Sequence, residues 1–597
     1  MTKFDRSQKN IERLQGSASR IVSGRWCVFF LGLLLLILFW GDLYHPTFLS
    51  LGGPLLSLFL LTSFLLSAIN KNLLRWRQYQ GLLQVEKYRR ELNWSQLPAY
   101  RTPTLNPEEY DVITATDLHL TGQHSALHLM DSCISDHGQR TLLSCLVTTG
   151  PLDRIRQRQQ KVRELLPLLI FRMKFKLLGK IHSGELIKKD TLLAAFNKDV
   201  FRPKFFVFFT LLVVLQLFNL ILIFAAAIAD LKPYYLLSIP LIYLLYQLLK
   251  LKSENAFELG LSLQLSLERL LPVFRMMETL PVTNRDALFS EFASFQQAPP
   301  SKLLKKLNLV VALLSVRANP LLGLTLNFLL PWDFGLLVFL QRLKAGHSAQ
   351  LGLWLESLGR LEALVSLADY SANTGGIFPQ FLEEADSTYL EAVNLDHPLL
   401  GSEKRVPNTY SIKKDAPISV ITGSNMAGKS TFLRTIGLNV ALARAGASVR
   451  AEKFSLQNLS VTSLIKAQDF LEKEMSLFYF EVKRLKEILE KGRASSGEVP
   501  CLFLVDEIYR GTNNQERYQG AVAYLREFST VPHCCGLLTT HDINIAKNLL
   551  SNPAIKQFHF QELYRDGALV YDYKINPGIC ETTNALRIME REGLPVT

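Results

Sequence analysis

Two long apolar segments near the beginning of the chain constrain its fold more than any other feature. Residues 26–44 and 47–69 are mostly apolar and are separated by the dipeptide His45-Pro46. Each segment is close to the ~20 residues that a helix needs to cross a bilayer. The pair therefore predicts a transmembrane hairpin over residues 26–69.

A second apolar pair lies further along the chain. Residues 205–229 and 234–249 are joined by the short sequence "DLKP", and the later member is short and contains Pro240. We predict a second hairpin over residues 205–249. Residues 319–340 are also apolar, but Pro331 and Asp333 interrupt them, and there we expect a buried core helix.

Basic residues flank both pairs and predict their orientation. Because cytoplasmic flanks are enriched in Lys and Arg, both termini are expected in the cytoplasm. A cleaved signal peptide is the competing interpretation of the first segment, but no small-residue cleavage site follows it. The flanking basic residues are Arg13, Arg20, Arg25, Lys71, Arg75, Arg77, Arg202, Lys204, Lys250 and Lys252.

The remaining sequence indicates several domains in a chain of 597 residues. Apolar residues recur every three or four positions through the middle of the chain, and strand signals are scarce before about residue 388. We expect a multidomain protein with transmembrane helical hairpins, an all-α core and lever domain, and a C-terminal α/β domain. Its parts are a basic cytoplasmic tail (1–25), the first hairpin (26–69), a linker helix (70–103), a helical domain (104–385) interrupted by the second hairpin (205–249), and the α/β domain (386–597).

Charge and cysteine content narrow the choice of partner and compartment. Lys and Arg outnumber Asp and Glu by 66 to 53, a formal net charge of +13. This excess suits an anionic partner, either a cytoplasmic membrane face or nucleic acid, and charge flanking the membrane segments is the plainer explanation. The seven cysteines form no C-x-x-C pair, which argues against a disulfide framework or structural zinc and predicts a reducing cytosol.

The α/β region contains a phosphate-binding loop. Gly423, Gly428, Lys429 and Ser430 fit G-x-x-x-x-G-K-[ST], between the apolar strand "ISVIT" and the helical "TFLRTIGLNVALA". In such a loop the glycines let backbone N–H groups approach phosphates, Lys429 reaches the β and γ phosphates, and Ser430 ligates Mg²⁺. The pattern predicts ATP and Mg²⁺ as cofactors. The other loop residues expected at the nucleotide are Ser424, Asn425, Met426, Ala427 and Thr431.

Two further strands carry catalytic candidates at their ends. The strand "CLFLV" is followed by Asp506, expected to hold Mg²⁺, and by Glu507, expected to polarise the attacking water. Another apolar strand, "GLLTT", is followed by His541, which is placed to sense the γ-phosphate. An acidic pair after a strand can also be a simple cap, but here it accompanies a phosphate loop.

These motifs closely resemble the MutS family of ATPases, within the wider ABC-type group. "TGSNMAGKSTFLRT", "DEIYRGTNN" and "TTHD" look like that family's phosphate loop, Walker B segment and switch histidine. "SLFYFE" matches the family's S-x-F-x-x-E at Ser476, Phe478 and Glu481, with Asp469 upstream. "VPN", with Val406 and Asn408, resembles a segment that borders the adenine. Residues 125–146 are similar to the start of the MutS core domain, so the resemblance covers residues 104–597.

Departures from the family limit what the resemblance implies. No counterpart of the mismatch-reading domain is expected before residue 104, so mismatch recognition is not carried over. Asn513 and Asn514 stand where the family carries a Ser-Thr pair facing the partner subunit's nucleotide, and Ala427 replaces a usual glycine. The asparagines either complete a site in a homodimer or cap the helix that begins near Gln515.

Two functional hypotheses follow from the sequence. The first is a membrane-anchored MutS-like ATPase that dimerises through its nucleotide domains and couples ATP hydrolysis to movement of helical arms, with DNA as a further partner. The second is an ABC-like mechanochemical or transport-associated ATPase that acts on membrane partners without nucleic acid. Stimulation of hydrolysis by DNA would separate them.

Overall fold

The fold was analysed in a computed structural model. It describes residues 3–40, 46–103, 110–180, 186–197, 203–229, 234–279, 287–316, 319–424, 427–465, 477–509, 512–565 and 568–579.

The chain begins with two long helices packed against each other, α1 (Lys3–Trp40) and α2 (Pro46–Glu91). Both continue well beyond their apolar segments. The predicted boundaries at residues 25–26 and 69–70 therefore fall inside continuous helices, because the polar flanks keep helical propensity. Among the described residues, three helical stretches are long and apolar enough to cross a membrane: Phe4–Leu35, Gly53–Glu91 and Phe205–Ile228.

The middle of the chain is helical, as predicted, up to a first short strand at residue 380. The helices are α3 (Val112–Asp117), α4 (Ala126–Met130), α5 (Asp136–Val147), α6 (Leu152–Leu165), α7 (Leu169–Lys180), α8 (Lys189–Asn197), α9 (Pro203–Ala229), α10 (Ile239–Glu278), α11 (Phe289–Gln297), α12 (Pro300–Ser315), α13 (Pro320–Leu329), α14 (Trp332–Ala345) and α15 (Ser348–Thr374).

The later member of the second pair, Tyr234–Lys250, is a shorter apolar stretch formed by a 3₁₀ turn and the first part of the 40-residue α10. The second hairpin over residues 205–249 stays a prediction. One prediction in this region is wrong: the segment 319–340 is not one buried core helix. It forms α13 and α14, because Pro331 cannot continue a helix, and several of its apolar side chains are exposed.

The C-terminal region is an α/β domain with two sheets. A four-stranded sheet has the order β1-β5-β2-β3, and a six-stranded sheet has the order β10-β9-β4-β8-β7-β6. The strands are β1 (Gln380–Phe381), β2 (Thr388–Leu395), β3 (Asn408–Lys413), β4 (Ile418–Thr422), β5 (Lys453–Leu456), β6 (Ser460–Leu464), β7 (Cys501–Asp506), β8 (Cys534–Thr540), β9 (Ile555–Arg565) and β10 (Ala568–Pro577). Its helices are α16 (Lys429–Arg444), α17 (Leu477–Arg493), α18 (Asn514–Phe528) and α19 (Ile543–Asn548).

The larger sheet positions the predicted motifs. Strands β6, β7, β8, β4 and β9 are parallel neighbours, and only β10 runs antiparallel. Every residue of β4, β7 and β8 is buried, as their near-continuous apolar sequences require. Since parallel strands end at one edge, the residues that follow β4, β7 and β8 meet there.

Candidate functional site

The phosphate loop joins β4 to α16, as the sequence predicts. Gly423 has φ 145° and Gly428 has φ 102°, backbone conformations that side chains disfavour. A Cβ atom on Gly423 would lie 2.8 Å from the carbonyl oxygen of Phe560. Both glycines are therefore required by the path of this loop. Ala427 is buried, so its methyl group is accommodated, while Asn425 and Met426 lie outside the described residues.

Lys429 is the first residue of α16 and lies under the loop. Its Nζ donates hydrogen bonds to the carbonyl oxygens of Gly423 and Ser424, each at 2.7 Å. The side chain is only 5% exposed. The loop thus curls around a buried ammonium group, which adds its charge to the positive end of α16.

Ser430 and Asp506 meet across the edge of the sheet. The Ser430 hydroxyl donates to Asp506 Oδ2 at 2.6 Å. Thr539, the register partner of Asp506 on β8, donates its hydroxyl to Asp506 Oδ1. These contacts join the phosphate loop to the ends of β7 and β8 and fix the carboxylate beside the Ser430 hydroxyl.

Glu507 follows in a strained conformation. Its φ is 54°, a left-handed value that costs energy for a residue with a side chain. Its backbone N–H donates to the Thr539 carbonyl oxygen at 3.0 Å. The turn places its Oε1 3.7 Å from Nδ1 of His541, which is partly exposed at the end of β8. The structure thus brings together the carboxylate and the imidazole that the sequence singles out.

A cavity of about 810 Å³ opens beside the loop. Lys429, Ser430, Thr431 and Glu507 line it, together with Val406. Its size falls within the range of small-molecule sites, about 300–1,000 Å³. The loop and the predicted adenine-bordering segment therefore belong to one cavity.

Asn408 lines the same cavity, and its side chain makes hydrogen bonds to the backbone of the cavity wall. Its Nδ2 donates to the carbonyl oxygens of Val406, at 3.2 Å, and Tyr573, at 3.0 Å. Its Oδ1 accepts from the Ile575 backbone N–H at 2.8 Å. Asn408 thus fastens β3 to β10.

The sequence did not single out the aromatic wall of this cavity. Phe560 on β9 and Tyr571 and Tyr573 on β10 line it, with the two tyrosine rings stacked at 6.0 Å between centroids. Such a wall suits an aromatic base. The alternation in "LVYDYKIN" indicates a strand with both tyrosines on one face, but only the tertiary fold places that face at the loop.

His397 is a further lining residue that sequence reasoning missed. Burial, reinforced by the charges of His119 and Arg434, lowers its pKa to about 4. Its Nδ1 accepts a hydrogen bond from the Leu399 backbone N–H at 3.2 Å. The imidazole is therefore neutral at pH 7, with its remaining proton on Nε2.

The asparagine pair lies at the start of α18. Asn513 is the N-cap: its Oδ1 accepts from the Glu516 backbone N–H at 2.9 Å. Asn514 Oδ1 accepts from the Arg517 guanidinium at 2.8 Å. Both asparagines are exposed, so the capping role is present in a single subunit. Ser476 lies outside the described residues.

The helix α3 is hydrogen-bonded to the α/β domain at both of its ends. The Arg484 guanidinium on α17 donates to Asp111 Oδ1 and Oδ2, at 2.9 and 2.7 Å. At the other end, Asp117 Oδ2 accepts from the Ser463 hydroxyl at 2.8 Å, and the Asp117 carbonyl accepts from Arg434 on α16 at 3.0 Å. The helix that begins at the phosphate loop is thus hydrogen-bonded to the helical region.

Comparison with known proteins gives the same assignment for the C-terminal region. Residues 419–597 match the family model of MutS domain V. The chain is 29% identical over 262 residues to the DNA mismatch repair protein Msh3 of Dictyostelium discoideum, covering 41% of this chain and 18% of that protein. It is 27% identical over 242 residues to the DNA mismatch repair protein MutS of Natronomonas pharaonis, covering 40% and 27%. It is also 27% identical over 266 residues to the DNA mismatch repair protein MSH3 of Candida glabrata, covering 43% and 25%.

The chain thus matches no more than 27% of the length of these relatives. The similarity to the MutS family lies in the C-terminal region, where residues 419–597 match its domain V.

Proposed function

We propose that this protein is a membrane-anchored MutS-like ATPase that hydrolyses ATP and couples hydrolysis to movement of its helical region. The observation that carries the proposal is the meeting of Lys429, Ser430 and Asp506 at one edge of the sheet, beside a cavity of about 810 Å³. A buried ammonium, a hydroxyl and a carboxylate around a glycine loop suit a nucleoside triphosphate with Mg²⁺.

The residues present fit that ligand. A Cβ on Gly423 would strike the Phe560 carbonyl, so the loop backbone is open only because the residue is glycine. Bound Mg²⁺ would neutralise charge on the β and γ phosphates. Ser430 and Asp506 would hold the metal, Lys429 would exchange its carbonyl contacts for phosphate oxygens, and the aromatic wall with Val406 would cover the base.

For hydrolysis, Glu507 is the proposed group that orients and polarises the attacking water. Its strained backbone holds the carboxylate toward the cavity. His541, 3.7 Å away, would orient that carboxylate and sense the γ-phosphate. In a homodimer, Asn513 and Asn514 would face the nucleotide of the partner subunit.

Movement of the helical region is proposed through α3. Arg434 lies five residues beyond Lys429 on α16 and donates to the Asp117 carbonyl. A shift of α16 on ATP binding would therefore pull on α3 directly. The other end of α3 is held by Arg484, which donates to Asp111. Arg484 lies on α17, the helix that follows Ser476 in the sequence.

Membrane anchoring rests on the exposed apolar helices. Phe224 on α9 is 70% exposed, and Val207, Val214 and Ile221 are exposed as well. Apolar surface of this extent marks an interaction site or a membrane contact. We propose a multi-pass protein of the cytoplasmic or inner membrane with its ATPase domain in the cytoplasm. Alkaline carbonate should then fail to extract the protein, and a reporter fused after Thr597 should work only in the cytoplasm.

The proposal has two forms, which differ in the partner of the helical region: DNA or a membrane component. The relatives are mismatch repair proteins by name, and the net charge of +13 suits DNA; the apolar helices favour a membrane partner instead. The test is ATP hydrolysis by the detergent-solubilised protein with and without duplex DNA, over a range of salt. Stimulation that falls steeply with salt supports DNA as partner, whereas DNA-independent hydrolysis supports the membrane form. Lys429→Ala is the control, and equal hydrolysis by this variant would refute the ATPase assignment.

A further inference from the structure

The segment 319–340 has an unusual surface for a part of a helical domain. Helix α13 ends at Leu329, and α14 begins at Trp332. Pro331, between them, interrupts the helical hydrogen bonding. Large apolar side chains of the segment are exposed on both helices and at the break between them. They are Leu322, Phe328, Leu329, Leu330 and Phe339.

The break in this segment is closed by α9, a helix apolar enough to cross a membrane. In a continuous helix the Asn327 carbonyl would accept from residue 331, but Pro331 has no N–H. The Phe328 carbonyl would accept from Trp332, whose N–H instead donates to the Leu330 carbonyl at 2.7 Å. Gln216 of α9 donates its Nε2 to both carbonyls, at 2.6 Å for Asn327 and 3.3 Å for Phe328.

Gln216 lies at the middle of the apolar stretch Phe205–Ile228 and is only 1% exposed. A polar side chain at the centre of a membrane helix is costly unless it pairs inside the protein. Non-helical backbone at membrane depth is tolerated only where its polar groups are satisfied by the protein. The Gln216 Nε2 and two carbonyls at the break near Pro331 pair with each other in this way.

The segment 319–340 also packs against α9 and α10 through aromatic side chains. Phe334 at the start of α14 contacts Phe205 of α9 and Tyr246 of α10, with ring centroids 6.1 and 5.3 Å apart. Phe205 directly follows Lys204, and Tyr246 lies four residues before Lys250. Phe334 is thus next to the basic flanks of α9 and of the apolar part of α10, while Asn327 lies beside the middle of α9.

We propose that residues 319–340 form a re-entrant hairpin whose exposed apolar face contacts lipid acyl chains. Helix α13 has 10 residues and is about 15 Å long, half of the roughly 30 Å hydrocarbon core, so it enters the bilayer without crossing it. This inference rests on the proposed membrane anchoring through α9. The arrangement places an intramembrane element in the helical region that the ATPase domain is proposed to move.

The test compares single cysteines at three exposed apolar positions in a Cys27→Ser, Cys580→Ser background. Leu329→Cys probes the hairpin, Phe224→Cys the span α9, and Leu550→Cys the ATPase domain, where Leu550 is 61% exposed. Inverted vesicles carrying the full chain are treated with a membrane-impermeant maleimide, before and after detergent. We expect rapid labelling of Leu550→Cys, and labelling of Leu329→Cys as slow as that of Phe224→Cys until detergent is added.

A fluorophore attached at Leu329→Cys under detergent, followed by reconstitution with spin-labelled lipids, distinguishes lipid from protein contact. Quenching by acyl-chain spin labels is expected. Protection without quenching would show that a second protein copy covers the face, and would overturn the proposal. Labelling of Leu329→Cys while Phe224→Cys stays protected would refute the hairpin and leave α9 as a span. Labelling of both would refute the membrane anchoring itself.

Discussion

The contact between Asp111 and Arg484 offers the sharpest test of how the helical region is attached to the α/β domain. Arg484 and Lys491 both lie on α17, and both contact Asp111 Oδ2, at 2.7 and 2.6 Å. The Arg484 side chain is 3% exposed, whereas the Lys491 side chain is 49% exposed. The same carboxylate thus has one buried and one exposed basic partner, which makes Lys491→Met a matched control for Arg484→Met.

The stability that Arg484→Met should lose is calculated from the ionisation of Asp111. Burial alone would raise its pKa, but the charges of Arg484 and Lys491, with hydrogen bonds from Lys491 and Thr114, lower it from 3.8 to about 2. This difference corresponds to between about 2 and 3 kcal/mol of stability at neutral pH. Arg484 also donates to the buried Ser463 carbonyl at 3.1 Å, and leaving that acceptor unpaired adds about 1 kcal/mol. Since Lys491 keeps part of the charge interaction, we expect Arg484→Met to cost about 3 kcal/mol in total.

Thermal unfolding of the detergent-solubilised protein measures this cost. For a domain of roughly 200 residues, about 1 kcal/mol lowers Tm by about 2–4 °C, so Arg484→Met should lower it by about 6–12 °C. Lys491→Met should lower Tm by less than about 4 °C, because exposed pairs contribute about 0–1 kcal/mol. Equal shifts for the two variants, or a shift under about 3 °C for Arg484→Met, would refute the argument from burial.

The pH dependence gives an independent check. A lowered pKa in the folded state stabilises the fold above the ordinary value of 3.8, and the contribution disappears as pH falls toward 2. The difference in Tm between wild type and Arg484→Met should therefore be constant between pH 5 and pH 8. A difference that changed strongly in this range would show that another group carries the effect.

Three further predictions follow from the site. Glu507→Gln should still bind ATP but hydrolyse it orders of magnitude more slowly, measured as steady-state phosphate release; near-normal turnover would remove this carboxylate from its proposed role. Asn513→Ala should cost about 1 kcal/mol through loss of the N-cap, and Asn514→Ala less, by thermal unfolding. If the asparagines also complete the partner's site, mixed dimers of wild type with a subunit that carries both Lys429→Ala and the double alanine change should lose all hydrolysis, because the one intact phosphate loop then faces mutated asparagines; half activity would show independent sites. The pKa of His397 is lowered from 6.5 to about 4, so about 3 kcal/mol of stability should be lost as pH falls from 6.5 to 4. His397→Asn should make the free energy of unfolding less dependent on pH in this range. An unchanged pH dependence in the variant would assign the loss to another group.

The sequence by itself determined the parts of this protein whose chemistry lies in contiguous residues. The phosphate loop was predicted because a buried strand, a glycine loop and a helix follow one another between Ile418 and Arg444, and local geometry fixes their relation. Asp506, Glu507 and His541 were predicted as strand-end residues, since parallel strands in one sheet end at a common edge. Helix length and apolar composition likewise gave the candidate spans.

Only the tertiary structure decided features that join distant segments. Arg484 contacts Asp111 across 373 positions of sequence, and nothing in either local pattern marks the partner. Tyr571 and Tyr573 reach the cavity beside the phosphate loop because β10 pairs with β9 beside β4. The segment 319–340 was predicted as a buried helix because apolar sequence indicates removal from water without saying whether protein or lipid provides the cover. That choice depends on neighbouring helices, here on Gln216, which donates to the Asn327 and Phe328 carbonyls at the break.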